Sequence, residues 1–173
     1  VQHIDILGDP ALKLLEEINE AGFPVIFDTA RVPQKYFGPG DSIEFLTEPG
    51  KLLKLHTLLP DLKIIAAHGG GVLITDPERK SLIGSGIHIE ISTSFNTCDW
   101  PVNNYAQSIE NLVHLLNNHD QDKLFFGSDS PWRNQKTEIE ELVRLHLQGR
   151  IRRDQMENIF WKNANRLFDL GLA

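Results

Sequence analysis

The sequence predicts an α/β fold that is built on a parallel sheet buried on both faces. Apolar runs of strand length, such as "FPVIFDTA" (residues 23–30) and "LKIIAAH" (residues 62–68), alternate with helix-length segments. Strands that are buried on both faces have this continuous apolar pattern, which is typical of parallel sheets. The helical segments carry apolar residues at helical spacing, for example Leu52 and Leu55. The alternation predicts one α/β domain over residues 1–173.

The predicted order of elements is β-α-β-α-β-α-β-α-β-α-α. Strands are predicted at residues 1–7, 23–30, 62–68, 87–93 and 123–129. Asp9 is the predicted cap of the first helix, with Pro10 at its first position, and Gly22 ends that helix. The later helices are predicted to begin near Thr47, Asp76, Tyr105, Lys136 and Asp154.

Composition narrows the classes of partner. The 173 residues carry a net charge of −7 without a basic block, which argues against nucleic acid or an acidic membrane surface. No apolar run approaches the length of a membrane span. The single cysteine, Cys98, cannot form an internal disulfide, so we expect a reducing compartment and a cytoplasmic location. The expected partner is a small-molecule substrate.

Polar side chains stand where the predicted strands end. These residues are Asp28, His68, Ser92 and Asp129. In parallel α/β folds, functional residues collect at the carboxyl ends of the strands. An acid such as Asp129 at the end of a buried strand costs free energy unless it is paired or coordinated. A divalent cation would stabilise it, and a neutral His68 could be a ligand or a base, so that together they could activate a bound water.

Each of these residues also has a structural interpretation. Asp129 could cap the following loop in an Asx-type turn, and His68 could be a hydrogen-bonded core histidine. Asp28 could form an ion pair with Arg31. The two tryptophans in loops after strands could line a pocket or could serve only in packing; they are Trp100 and Trp132.

Five segments, taken in order, resemble the amidohydrolase superfamily and most closely its amidohydrolase-2 branch. They are "GFPVIFDTA", "KIIAAHGGG", "IHIEIST", "KLFFGSDSPW" and "IFWKNANRLFDL". The resemblance covers nearly the whole chain. The "AHGGG" and "GSDSPW" blocks are fairly specific in combination with the tail "NANRLF". The branch includes TIM-barrel hydrolases and aminocarboxymuconate-semialdehyde-type decarboxylases.

The resemblance implies a (β/α)8 TIM barrel with a divalent metal, zinc or alternatively manganese, at its carboxyl face. It implies that Asp129, at the end of strand 8, binds metal and takes part in base chemistry. It implies that His68, at the end of strand 6, contacts the metal or transfers a proton at the attacking water. Trp100, Trp132 and Arg31 are the expected substrate-binding residues, with Arg31 placed to meet a substrate carboxylate.

Two departures from the family pattern matter. Family members carry a His ligand at the end of strand 5, where this sequence has Asp28, which would make the site more anionic or mark an altered metal site. The family's His-x-His pair on strand 1 does not occur in this sequence. The chain therefore resembles about strands 4 to 8 of a barrel. We expect that an N-terminal segment missing from this sequence, or a second copy in a homo-oligomer, completes the barrel.

Three functions follow as hypotheses. The first is a metal-dependent hydrolase that attacks a small amide, lactone or ester with a metal-activated water, using Asp129, His68 and Asp28 as metal ligands. The second is a non-oxidative decarboxylase of a carboxylated small molecule on the same fold. The third is a catalytically degenerate fragment that serves as a binding or assembly module, which the missing His-x-His pair would explain.

Overall fold

A four-stranded parallel sheet organises the part of the chain that the structure describes. The computed structural model describes residues 4–29, 46–70, 80–92, 105–131 and 134–172, with the backbone alone for 105–108. Within these ranges the strands are β1 (Val25–Phe27), β2 (Ile64–Ala66), β3 (His88–Glu90) and β4 (Leu124–Phe125). They lie in the order β1-β2-β3-β4, and each pairs in parallel with the next.

Helices follow the strands in the alternation that the sequence predicts. Their bounds are α1 (Asp9–Glu20), α2 (Pro49–Leu58), α3 (Tyr105–Asn118), α4 (Gln135–Leu147), α5 (Arg153–Glu157) and α6 (Asn163–Phe168). A π-helical turn at Asn158–Lys162 joins α5 to α6, and a short 3-10 turn at His68–Gly70 follows β2. Gly22, at φ 73°, lies in the turn after α1, as predicted. No helix among the described residues is long and apolar enough to cross a membrane.

The two faces of the sheet differ in what covers them. Side chains alternate along each strand, so residues two apart share a face. One face contributes Phe27, Ile64, Ala66, Ile89 and Leu124 to a core that includes leucines from the helices. The register then places Ile26, Ile65, His88, Glu90 and Phe125 on the opposite face. The second face therefore carries the charged and titratable residues of the strands.

The strand predicted at residues 1–7 does not form over the part that is described. Ile6 and Leu7 lie in a turn, in which the amide of Gly8 donates to the carbonyl of Asp5 at 3.0 Å. The side chain of Ile6 is buried in the core. Of the alternating apolar residues that suggested a strand, Ile6 packs in the core, whereas Ile4 is 54% exposed. The described residues contain four strands where five were predicted.

The C-terminal helices hold the outer strand β4 through a buried amide. The side-chain amide of Asn163 donates to the carbonyls of Leu124 and Gln121, each at 2.8 Å. The amide of Phe126 donates to the carbonyl of Ile159 at 2.9 Å. The "NANRLF" tail therefore supports the strand that leads to Asp129. The predicted helix that begins at Asp76 lies mostly outside the described residues.

Candidate active site

The carboxyl ends of the four strands bring the predicted polar residues to one edge of the sheet. Asp28 comes directly after β1, His68 two residues after β2, and Ser92 two residues after β3. Asp129 follows β4 after Gly127 and Ser128. Because all four strands run in parallel, these residues share the edge at which α/β folds place their chemistry.

The centre of this edge is an imidazole–carboxylate pair. The Nε2 atom of His68 lies 3.3 Å from Oδ1 of Asp28. The His68 side chain is 13% exposed and that of Asp28 is 76% exposed, so the pair reaches from the interior of the site to solvent. Two hydrogen bonds to backbone carbonyls hold the supporting loops together. The amide of Ala67 donates to the carbonyl of Phe27 at 2.9 Å, and the Thr29 hydroxyl donates to the carbonyl of Ala67.

A buried carboxylate lies on the inner side of this pair. Glu90, the last residue of β3, is 9% exposed and is contacted by three donors. Its Oε2 accepts from the His68 amide at 3.2 Å and from the Ser92 hydroxyl at 2.7 Å, and its Oε1 accepts from the Ser92 amide at 2.5 Å. The Ser92 Oγ atom is also 2.9 Å from Nδ1 of His68. Both ring nitrogens of His68 therefore have polar neighbours.

The charges around His68 favour its protonated form. Burial of the ring lowers the pKa, but the hydrogen bond with Asp28 and the negative charges of Asp28, Glu90 and Asp129 outweigh it. The net result is a pKa above the ordinary histidine value of 6.5. Asp129, half-buried at the end of β4, thus acts on the same ring as Asp28, although it comes about a hundred residues later in the chain.

The backbone at His68 and Asp129 is unusual for residues with a side chain. Their φ angles are 57° and 54°, in the left-handed region that disfavours most residues other than glycine. Among the described residues, only Asp169, at the C-cap of α6, shares this feature outside the glycines. Residues held in sparsely populated backbone regions cluster at functional sites, and here two of them meet at one edge.

The described residues include ligand atoms that zinc or manganese can bind, but these atoms do not form a complete ligand set. His68 Nε2 and Asp28 Oδ1 are adjacent, and both atom types bind divalent metals. Across the described residues, however, no group of three or more His, Cys, Asp or Glu side chains is arranged to hold a metal ion. A catalytic metal site ordinarily has about three protein ligands. The described residues alone therefore do not fit the metal centre that the resemblance implies.

The three predicted substrate-binding residues, Arg31, Trp100 and Trp132, lie outside the described residues. The predicted Asp28–Arg31 ion pair is therefore not tested, whereas the contact between Asp28 and His68 is seen. Glu90 was missed because it lies inside the predicted strand at residues 87–93, whereas the observed strand β3 ends at Glu90. One signal could have revealed it: a lone carboxylate between isoleucines in "IHIEIST", on a strand predicted to be buried on both faces, needs a buried partner.

The family model described as amidohydrolase matches residues 1–170 of the chain. The chain belongs to this family. The match covers β1 to β4 and the six helices of the described residues, and so includes every residue of the candidate site. No curated protein matches this amidohydrolase chain in sequence.

Solved structures share the fold of this amidohydrolase chain at low identity. An uncharacterized TIM-barrel protein from Bordetella bronchiseptica has a TM-score of 0.70, at 19% identity over 96% of this chain and 52% of its own. A candidate 2-pyrone-4,6-dicarboxylic acid hydrolase from Pseudomonas putida has 0.66, at 19% identity over 99% of this chain and 61% of its own. A dihydroxybenzoic acid decarboxylase from Polaromonas sp. JS666, solved with manganese and 2-nitroresorcinol, has 0.63, at 17% identity over 98% of this chain and 57% of its own.

These comparisons confirm the predicted TIM-barrel type of α/β fold. The chain spans between 52% and 61% of the length of the three structures. Its four described strands therefore correspond to part of a barrel. The face that carries Ile26, Ile65, His88, Glu90 and Phe125 is then the face that points into the barrel, because the opposite face packs against the helices.

Proposed function

We propose that this chain contributes the proton-transfer half of an amidohydrolase active site that hydrolyses a small amide, lactone or ester. The observation that carries the proposal is the placement of His68 Nε2 against Asp28 at 3.3 Å, at the carboxyl edge of a parallel sheet. A histidine in reach of a carboxylate is a suitable general base, because the carboxylate stabilises the imidazolium that forms. Family membership supports hydrolysis as the reaction class.

The proton balance can be written with the residues of this chain. His68 takes a proton from water at Nε2 while the water oxygen bonds to the carbonyl carbon of the substrate. Asp28 stabilises the imidazolium, with the charges of Glu90 and Asp129 adding to the effect. The bond between the carbonyl carbon and the leaving nitrogen or oxygen then breaks, and the leaving group takes the proton back from His68. The ring is thereby restored for the next turnover.

The divalent metal of the original hypothesis enters none of these steps. Asp129 and Asp28 have suitable carboxylate donors, but the described residues do not assemble three ligands. A decisive measurement is the metal content of protein purified without chelators or added metal, by plasma mass spectrometry. One bound ion per chain would show that residues beyond the described set complete a site. Protein that is empty and fails to take up zinc or manganese would support chemistry without a metal, or a degenerate site.

The proposal predicts loss of hydrolysis when the base is removed. His68→Gln keeps a polar side chain of similar size but removes the titrating ring, and we expect turnover on a panel of small lactones, esters and amides to fall roughly 10²- to 10⁴-fold. If Asp129 binds metal, as the family resemblance implies, Asp129→Asn is expected to abolish activity and to leave the fold intact, as judged by circular dichroism. His114→Gln, the same change on an exposed face of α3, is the matched control. Full turnover in His68→Gln would overturn the proposal.

A non-oxidative decarboxylase is the second candidate. It is favoured by the structural likeness to the dihydroxybenzoic acid decarboxylase, which shares the fold over 98% of this chain. In that reaction a proton replaces the departing carboxyl group on carbon, and His68 would deliver it from Nε2. A panel of hydroxylated aromatic acids, scored for carbon dioxide release, separates the two reactions. Release of carbon dioxide with no ester, lactone or amide cleavage would select the decarboxylase.

We propose that additional strands close the sheet beside β1 and β4 before the site is fully active. Ile26, in the middle of β1, is 61% exposed on the face that points into the barrel. An exposed apolar strand at the edge of a sheet is a template for pairing with further polypeptide. Light scattering would show whether a second copy supplies it. A monomer that is inactive in both substrate panels and free of metal would favour a binding or assembly module.

A further inference from the structure

The buried carboxylate of Glu90 enters the proposed reaction only through its negative charge, and its contacts suggest a further role. It lies on the barrel-facing side of β3, two residues before Ser92, and is buried beneath the His68–Asp28 pair. Three donors converge on its two oxygens, the pattern that stabilises an ionised carboxylate. An ionised carboxylate only accepts hydrogen bonds, so it fixes the direction of every hydrogen bond that it makes.

That direction determines which nitrogen of His68 carries the proton. A serine hydroxyl has one proton to donate. The Ser92 hydroxyl donates it to Oε2 of Glu90 at 2.7 Å, so towards Nδ1 of His68, at 2.9 Å, the same oxygen can only accept. The Asp28 carboxylate, 3.3 Å from Nε2, is a second acceptor for the ring hydrogen, but it is 76% exposed and therefore solvated. The shorter contact with the buried Ser92 oxygen favours the hydrogen on Nδ1. In the neutral ring the lone pair is left on Nε2, the nitrogen that lies beside Asp28.

We propose that Glu90, acting through the Ser92 hydroxyl, is the positioning residue that holds neutral His68 as the Nδ1–H tautomer and so makes Nε2 the reactive nitrogen. Glu90 does not touch the reacting atoms. It also fixes the ring from the backbone side, since it accepts from the amide of His68 itself. The inference rests on the proposed function, because it assigns the support of the same base.

The neighbouring strand is shaped to admit Glu90. At Gly127, two residues beyond β4, an added Cβ would lie 1.9 Å from Oε1 of Glu90 and 2.4 Å from its Cδ. Real Cβ atoms do not approach other atoms so closely, so a residue with a side chain at 127 would displace the carboxylate. The sequence thus provides both the acid on β3 and the space beside it after β4.

Two other histidines serve as internal standards for a test. His119 receives a hydrogen bond from the Gly84 amide at Nδ1, and its Nε2 lies 3.0 Å from the carbonyl of Ile87, so it must be the Nε2–H tautomer. His146 has Nδ1 at 3.1 Å from the carbonyl of Ile151, which fixes the Nδ1–H form. A carbonyl oxygen only accepts, so neither assignment depends on the proposal.

The experiment is a two-bond ¹H–¹⁵N correlation spectrum of the histidine rings, recorded on the whole chain at alkaline pH, where the rings are neutral. His68→Gln identifies the His68 signals by their loss. In the unsubstituted protein we expect the His68 pattern to match that of His146 and to be the opposite of that of His119. In Ser92→Ala, and in Glu90→Gln, we expect the Nδ1–H pattern to give way to a mixture of tautomers. An unchanged His119 pattern shows that each variant is folded.

Two results would overturn the inference: an Nε2–H pattern for His68 in the unsubstituted protein, or an Nδ1–H pattern that persists in folded Ser92→Ala. The first needs no variant, so the test remains decisive even if both substitutions prevent folding. The spectrum requires no substrate. An inactive protein with the expected tautomer would therefore contradict the proposed function and leave this assignment standing, and the reverse holds for an active protein with the other tautomer.

Discussion

The two ends of β3 carry opposite histidine environments on one face of the sheet. At the carboxyl end, Glu90 and Ser92 surround His68, whose pKa is raised by nearby carboxylates in spite of burial. At the amino end, burial together with the positive charge of Lys123 lowers the pKa of His88 to about 4, although Asp122 opposes the shift. The residue type is the same, and the neighbours decide its charge.

The difference between these two environments distinguishes a histidine suited to proton transfer, His68, from a histidine with a structural role, His88. The His88 ring packs against Phe125 with centroids 5.3 Å apart, and its buried Nδ1 has no hydrogen-bond partner among the described residues. His119, which contacts the carbonyl of Ile87 just before β3, also has a lowered pKa because of burial, and both of its ring nitrogens contact backbone atoms. A neutral, immobilised imidazole packs well but exchanges no proton near neutral pH. Among these three rings, only that of His68 contacts a largely exposed carboxylate, Asp28.

The largest expected effect comes from filling the space beside Glu90. Gly127→Ala would push a methyl group into the buried carboxylate, and we expect the free energy of unfolding to fall by about 3 kcal/mol, the upper range for overpacking. Urea denaturation measures it. Gly50→Ala is the matched control, because nothing lies within 4 Å of the added Cβ in α2. Equal stability of the two variants would mean that Glu90 is not held where the structure places it.

The second largest expected effect is that acid destabilises the folded protein through His88, at the amino end of β3. The pKa of His88 is about 4 in the folded protein against an ordinary value of 6.5, so the unfolded chain binds more protons between these values. The contribution of His88 to stability is complete above pH 6.5 and is lost as pH falls towards 4. It amounts to at most about 3 kcal/mol, and to less because solvent screens the half-buried ring. His68 has the opposite sign, because its raised pKa contributes stability below 6.5 that is lost as pH rises through the folded value.

His88→Leu tests this prediction by removing the titrating ring and keeping an apolar side chain of comparable size. We expect its free energy of unfolding, measured by urea denaturation across the pH range, to decline less steeply than that of the unsubstituted protein below pH 6.5. At neutral pH we expect little loss, because the buried Nδ1 has no hydrogen bond among the described residues to lose. An unchanged acid limb would show that His88 does not titrate as its surroundings indicate.

The smallest effect is expected from Asp28→Asn. Removing this charge should lower the pKa of His68, and, in an active preparation, should move the rising limb of the pH–rate profile to lower pH. Because Asp28 is largely exposed, the shift should shrink as salt is added. NMR titration of the ring measures it, with Asp5→Asn, an exposed carboxylate paired with Lys51, as control. A rise in the His68 pKa would contradict the pairing.

Local patterns predicted most of the fold and the outer part of the site. Apolar runs predicted β1 to β4, and the positions after them identified Asp28, His68 and Asp129. The turn at Ile6 was mistaken for a strand, because alternation of apolar residues cannot distinguish strand pairing from packing of single side chains against a core. The partnership of Glu90 with Gly127 joins residues 37 positions apart, and only the register of β3 against β4 reveals it.

The most direct test of the contrast between the two ends is one NMR titration that follows every histidine ring of the chain. We predict that His68 titrates above 6.5 and His88 at about 4, so that at intermediate pH the first is charged and the second is neutral. Equal pKa values, or a His88 that titrates above His68, would contradict the claim that the carboxyl end alone is built for proton transfer.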